Sequence, residues 1–209
     1  MSLATYRVRG ENHVKLGAMS RATDRTPAAI TRIQNDPDAQ GFTMASEPHT
    51  GALLAVLAAS KPGGRFLELG TGTGVGTAWL LAGMDTSSHL DSVDTDGSVV
   101  DVARRHLGSD PRLTLHVMDG ADFIAGSTSG SWDFIYADAW PGKFTHLREA
   151  LALLRVGGMY FIDDLLPQPN WPEGHALKVE ALVDALALPD FVTVRLDWAS
   201  GLMIVVRQV

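Results

Sequence analysis

The chain has 209 residues, 45% of them hydrophobic and 20% charged, which suits one domain with a central sheet under covering helices. Lys and Arg number 17 against 24 Asp and Glu, a net charge of −7, and no basic cluster is present, which makes the chain a poor candidate for gripping nucleic acid through its phosphates. Cysteine is absent, which removes disulfides, thiolate metal sites and a cysteine nucleophile. The opening MSLATYRVRG lacks the apolar segment of a secretory signal, and no apolar run is long enough to span a bilayer, so a cytoplasmic protein off the membrane is expected. Residues 1–3 could be a cloning remnant.

In chain order, residues 1–60 read as a polar helical cap and 61–209 as an α/β core of the same single domain. TPAAITRIQND predicts a helix with Thr26 as N-cap and Pro27 in the first helical position. SEPHTGALLAVLAAS predicts another, capped by Ser46 and stopped by KPGG at 61–64. Short apolar runs at 65–69, 89–94, 112–119, 132–138 and 159–164 predict strands. Between them GVGTAWLLAGM, GSVVDVARRHLG (closed by Gly108), ADFIAGS and THLREALALLRVGG predict helices, and PEGHALKVEALVDALAL predicts one more after the fifth strand. FVTVRLDW and GLMIVVRQV predict two final strands joined by a tight turn at Ser200 and Gly201. Alternating strands and helices imply a parallel sheet covered on both faces. Two strands so close in sequence must be antiparallel, because a parallel crossover needs a dozen or more residues. The expectation is a seven-stranded, mostly parallel sheet with one antiparallel strand.

The loop after the first strand, ELGTGTGVGTAWLL, sets Gly70, Gly72, Gly74 and Gly76 at every second position. In an open α/β sheet, ligands sit beyond the carboxyl ends of the strands, and the next helix offers free amides there. A triphosphate loop needs a lysine after its last glycine; Thr77 and Ala78 stand there instead. A dinucleotide loop needs G-x-G-x-x-G, and Val75 or Thr77 occupies the third glycine site. The pattern E-x-G-x-G-x-G is met in full by Glu68, Gly70, Gly72 and Gly74.

These residues resemble the first motif of the class I S-adenosylmethionine-dependent methyltransferases, and the expected fold is the Rossmann-like one of that family. The resemblance implies S-adenosyl-L-methionine as cofactor, cradled by Glu68, Gly70, Thr71, Gly72 and Gly74. Asp94 ends the second strand about twenty residues on, where a carboxylate accepts from both ribose hydroxyls. The turn of Asp119, Gly120 and Ala121 would border the adenine, with Asp119 or Asp122 accepting from its amino group. FTMASEPHTGALL, with Met44 and Ser46, is similar to the segment that closes over the cofactor.

YADAWPGKFTHLREALALLRVGGMYFIDD is similar to the catechol and caffeoyl-coenzyme A O-methyltransferase branch. That resemblance implies methyl transfer to a hydroxyl of a small, possibly aromatic molecule, assisted by a divalent cation. Asp138, Asp163 and Asp164 would hold the ion; three oxygen ligands suit Mg or Ca. Asp138 would also meet the cofactor's amino group. Two departures stand out: Asp164 replaces the branch's usual Asn, and Lys143 lies five residues after Asp138, not three, with Pro141 and Gly142 between. Lys143 is therefore either the catalytic base or a solvated residue at a helix start. Trp140 and Trp171 either wall a substrate or pack under a loop, and His49 and His175 are spare bases. Two alternatives remain: a metal-independent N-, C- or O-methyltransferase, and a non-catalytic module that binds the cofactor; a nicotinamide oxidoreductase is a fourth reading. A homodimer is expected, because the N-terminal cap has little core of its own.

Overall fold

The computed structural model describes residues 26–168 and 171–209; the extreme N-terminus, with residues 1–3, lies outside them. Seven strands form one sheet: β1 (Arg65–Leu69), β2 (His89–Asp94), β3 (Leu113–Val117), β4 (Trp132–Ala137), β5 (Leu154–Ile162), β6 (Phe191–Leu196) and β7 (Leu202–Arg207). Their spatial order is β3-β2-β1-β4-β5-β7-β6. β1 to β5 pair in parallel, and β7 runs antiparallel to both β5 and β6. The helices are α1 (Ala28–Gln34), α2 (Pro48–Ala59), α3 (Val75–Gly83), α4 (Gly97–Leu107), α5 (Gly120–Gly126), α6 (Leu147–Ala152) and α7 (His175–Ala185).

The strands' unbroken apolar runs are explained by burial on both faces. On β1, β4 and β5 successive side chains alternate between two cores. Phe66, Phe134, Tyr136 and Phe161 point to one, closed by residues of α1, α2, α3 and α4. Leu67, Leu69, Ile135, Ala137, Tyr160 and Ile162 point to the other, closed by α5, α6 and α7. The N-terminal helices α1 and α2 thus contribute to the main core: Ile30, Ile33 and Leu54 are buried within it.

Local departures from expectation have physical causes. Pro27 is the N-cap of α1, and Glu47 that of α2; neither cap is made by a side chain. Ser46 instead hydrogen-bonds a tyrosine in the site, as described below. Gly108 closes α4 in a right-handed conformation, and a Cβ there would lie 2.5 Å from the Arg104 carbonyl oxygen, so space rather than backbone freedom calls for glycine. The helix expected through LRVGG ends at Ala152, and β5 begins at Leu154, taking Gly157 at φ 77° into the strand opposite a register shift in β4. Among the described residues no helix is long and apolar enough to cross a membrane.

Candidate active site

β1 lies between β2 and β4, so the chain's winding reverses between β1 and β4. The carboxyl ends of those two strands bracket a cavity of about 440 Å³, the usual place and size for a small-molecule site. Its floor is the glycine loop, from Gly70 to Gly76; its walls include Phe42, Met44, Ser46, Asp94, Gly120, Asp138 and Trp140.

The glycines answer to distinct neighbours. Gly70 has φ 105°, and a Cβ there would lie 2.7 Å from the Asp138 carbonyl oxygen. Gly72 has φ 50°, with the Phe42 ring 2.8 Å from where a Cβ would stand. Both positions combine a left-handed backbone with a close approach, so both require glycine. Gly74 does the same at φ 93° against Ala103 and Leu107 of α4, whereas Gly76 serves packing against Glu68 and Tyr136.

Asp94 braces the loop. Its Oδ2 accepts from the Gly72 N–H at 2.9 Å and its Oδ1 from the Asp96 N–H at 3.0 Å. Its carboxylate lines the cavity at the end of β2. Glu68 does not line the cavity, which corrects its expected contact with a cofactor. It is fully buried behind the loop, where Oε2 accepts from Thr77 and Ser92 hydroxyls, each at 2.5 Å, and Oε1 has no partner. Burial pushes its carboxyl up to about 7, against the pull of those two hydrogen bonds. Thr71 lines the cavity and shares a 2.6 Å hydrogen bond with Ser92. Asp119 Oδ1 accepts from the Ala121 N–H at 2.8 Å and caps α5, and Gly120 of that turn lines the cavity. Asp122 lines a separate surface groove.

The second half of the site is built on Tyr136. Its hydroxyl lies 3.0 Å from Asp138 Oδ2 and 3.3 Å from Asp163 Oδ2, donating to both, and 3.0 Å from Ser46 Oγ. With its one proton directed at carboxylates, Tyr136 accepts from Ser46. Asp163 is buried; its Oδ1 accepts from the Ser200 hydroxyl and from the Asp164 N–H, the latter at 2.7 Å. Ser200 in turn meets Thr50 of α2 at 3.2 Å. The 46–50 segment is thus tied to the site at both ends, through Ser46 and Thr50. Burial raises the Asp138 carboxyl well above the usual carboxylate range, with Lys143 opposing and Asp163 adding. Burial, then Asp164, brings Asp163 up to about 6.

The Pro141–Gly142 insertion forms a tight turn. The N–H groups of Lys143, Phe144 and Thr145 all donate to the Trp140 carbonyl, and the Tyr160 hydroxyl donates to the Gly142 carbonyl at 2.6 Å. This turn leaves Lys143 only 5% exposed, which removes the reading of a solvated residue at a helix start. Beyond it, His175 packs against Trp171, Phe144 and Trp140, with centroids 4.5, 5.0 and 6.4 Å away. His49 stacks edge-on with Trp198 instead.

The expected metal site does not have a ligand's geometry. A divalent cation needs several convergent oxygens with lone pairs to spare. Among the described residues no group of three or more His, Asp or Glu side chains is arranged to hold one. Asp163 commits both oxygens to Ser200, Asp164 N–H and Tyr136, and Asp138 commits Oδ2 to the same tyrosine. Asp164 sits at φ 59°, a left-handed backbone that only a few non-glycine residues adopt. Asp138, Asp163 and Asp164 therefore do not fit the ion as a set.

Sequence reasoning missed Tyr136, hidden in the apolar run WDFIYA. The signal was present: a tyrosine in a doubly covered strand must find a partner for its hydroxyl.

The chain matches the methyltransferase-domain family over residues 67–165. It is 30% identical over 157 residues to a Mycobacterium tuberculosis protein named as an O-methyltransferase, an alignment covering 73% of this chain and 63% of that relative. The chain thus spans a little under two thirds of the relative's length. A Corynebacterium glutamicum protein shares the fold with a TM-score of 0.76 at 22% identity, covering 90% of this chain and 93% of that one. An O-methyltransferase from Bacillus cereus, solved in complex with S-adenosylhomocysteine, does so at 0.73 and 19% identity, over 86% and 90% of the two chains. In motif, family match and fold the chain is similar to the class I S-adenosylmethionine-dependent methyltransferases.

Proposed function

We propose that the protein transfers a methyl group from S-adenosyl-L-methionine to a hydroxyl of a small molecule. The observation that carries this reading is the charge of the cavity: among the described residues it is lined by Asp94, Asp96 and Asp138 and by no Lys, Arg or His. Triphosphates need cationic charge beside the amides, so a nucleotide triphosphate is poorly matched. A cationic sulfonium joined to a neutral nucleoside suits carboxylates and apolar walls. Asp94 would accept from the ribose hydroxyls, the backbone of Gly70 and Gly72 would lie against the amino-acid portion, and Met44 and Phe42 would cover it.

When bound, S-adenosyl-L-methionine supplies an electrophilic methyl: the acceptor oxygen forms the C–O bond, and the C–S electron pair stays on sulfur as S-adenosylhomocysteine leaves. Asp138, at the boundary of cavity and acceptor site, takes the hydroxyl proton. Trp140 and Trp171 wall the acceptor. The rate gain rests on positioning the oxygen in line with the methyl. The divalent cation drops out of this reading because its expected ligands are already engaged. Calorimetry with S-adenosylhomocysteine tests the proposal: saturable binding supports it, and silence at high micromolar ligand refutes it.

A further inference from the structure

Methyl transfer as described leaves one buried group without a task. Lys143 is 5% exposed, yet among the described residues its side chain makes no hydrogen bond or ion pair. Its ammonium lies 5.6 Å from the centroid of the Phe144 ring. Buried lysines are rare unless paired, so an unpaired one marks a place where a partner arrives. Its charge is felt at Asp138, at Asp163 and at His175, which puts it amid the acceptor half of the site. The carboxylates themselves face a hydroxyl: Tyr136 bonds Asp138 and Asp163 at 3.0 and 3.3 Å, so it stands between them where a bridging ion would have to sit.

We propose that this acceptor site is metal-free by construction, with Tyr136 filling the space between Asp138 and Asp163 and Lys143 supplying the positive charge that holds an anionic oxygen of the acceptor. The proposal rests on the methyltransferase reading. A divalent ion fixes an acceptor oxygen and favours its anionic form. A desolvated ammonium performs the same two tasks at a single point, more weakly but with no ligand cage. The turn pinned by Trp140 and Tyr160 makes this possible, since the two extra residues reorient Lys143 without exposing it. The bond-making step is unchanged: the Lys143 ammonium keeps its protons, and the acceptor's proton goes to Asp138.

The test uses the full chain and three measurements. S-adenosylhomocysteine calorimetry comes first; its failure sinks the methyltransferase reading rather than this proposal alone. With that binding in hand, the electron paramagnetic resonance signal of free Mn²⁺ is followed as protein is added. The expected result is an undiminished signal, with or without S-adenosylhomocysteine. Stoichiometric loss of the signal, reversed in Asp163→Ala, overturns the proposal while leaving the methyltransferase reading intact. The third measurement uses 4-nitrophenol as an oxyanion probe with S-adenosylhomocysteine present. The wild type is expected to bind it with raised phenolate absorbance below its solution pKa. Lys143→Met should lose that absorbance at least tenfold and Lys143→Arg recover part of it, with S-adenosylhomocysteine binding in each variant reporting an intact fold. No phenolate enrichment in the wild type, or equal enrichment in Lys143→Met, overturns the role given to Lys143.

Discussion

Glu68 should make this protein less stable as pH rises toward neutrality. The carboxyl is fully buried, Oε1 lacks any partner, and burial moves its folded-state pKa from 4.5 to about 7. The folded protein therefore holds a proton that the unfolded chain releases. Its stabilising effect is complete below about pH 4.5 and is lost as pH climbs through about 7. The shift is worth about 3 kcal/mol at 1.36 kcal/mol per unit, a large share of a domain's stability. Glu68→Gln removes the titration while keeping an acceptor for the Thr77 and Ser92 hydroxyls. Its amide would fill the unpartnered Oε1 position, at a pH-independent cost of about 1–3 kcal/mol. Urea unfolding of both proteins from pH 5 to 8 isolates the effect, because other titrating groups cancel in the difference. The wild type should lose about 2.5 kcal/mol relative to the variant across that range, most steeply at about pH 5.5 to 6. Parallel stability curves would refute the reasoning, and a wild type gaining on the variant as pH rises would reverse its sign.

Other perturbations read the remaining parts of the site. Gly70→Ala places a Cβ 2.7 Å from the Asp138 carbonyl at φ 105°; it should cost about 1–3 kcal/mol in urea unfolding and weaken S-adenosylhomocysteine at least tenfold by calorimetry. Asp94→Asn loses the charged acceptor for the Gly72 N–H and should raise the S-adenosylhomocysteine Kd about tenfold, near 1.4 kcal/mol, with little change in melting temperature. Ser46→Ala removes the donor to Tyr136 and should cost about 1 kcal/mol of stability, seen as a fall of about 2–4 °C in Tm. Gly142→Ala drives a Cβ to 2.5 Å from Leu69 and 2.7 Å from the Tyr160 hydroxyl at φ 87°; hydrogen exchange should show the 140–145 turn opening, and turnover should fall more than S-adenosylhomocysteine affinity does.

The sheet was legible because its strands announce themselves twice. Each is a short apolar run, and each is bounded by glycine or aspartate where the chain must turn. β1 and β2 emerge with the bounds read from sequence, and the closing antiparallel strand follows from chain length alone. β5 was misread at its start because LRVGG continues the helical spacing of THLREALAL; pairing of Trp132 with Leu154 overrides it. The glycine floor of the cavity was legible for a related reason, since a close backbone approach leaves glycines as its trace. Side chains left a weaker one. Glu68, Asp94 and Asp119 look alike in sequence, each an acid near a strand end. Yet one is sealed behind the loop, one lines the cavity and one caps a helix. Distinguishing them requires knowing which way each carboxylate faces, and that is set by packing across the sheet.

Tyr136 shows why the acceptor half resists reading. Alternation along β4 puts its ring with Phe66, Phe134 and Phe161, among purely apolar side chains. Only the hydroxyl reaches past that core, and its three partners come from residues 46, 138 and 163, which no short motif connects. A phenylalanine there would pack equally well and leave the carboxylates facing each other across an open gap. Two acids so placed repel, and their burial favours the neutral form of one of them or the arrival of a cation. The hydroxyl supplies one proton to that gap, and Lys143 supplies a charge beside it. Whether the gap can still admit an ion is decided by a single oxygen atom, so Tyr136→Phe, made with Lys143→Met, should turn a protein that leaves free Mn²⁺ undisturbed into one that takes it up.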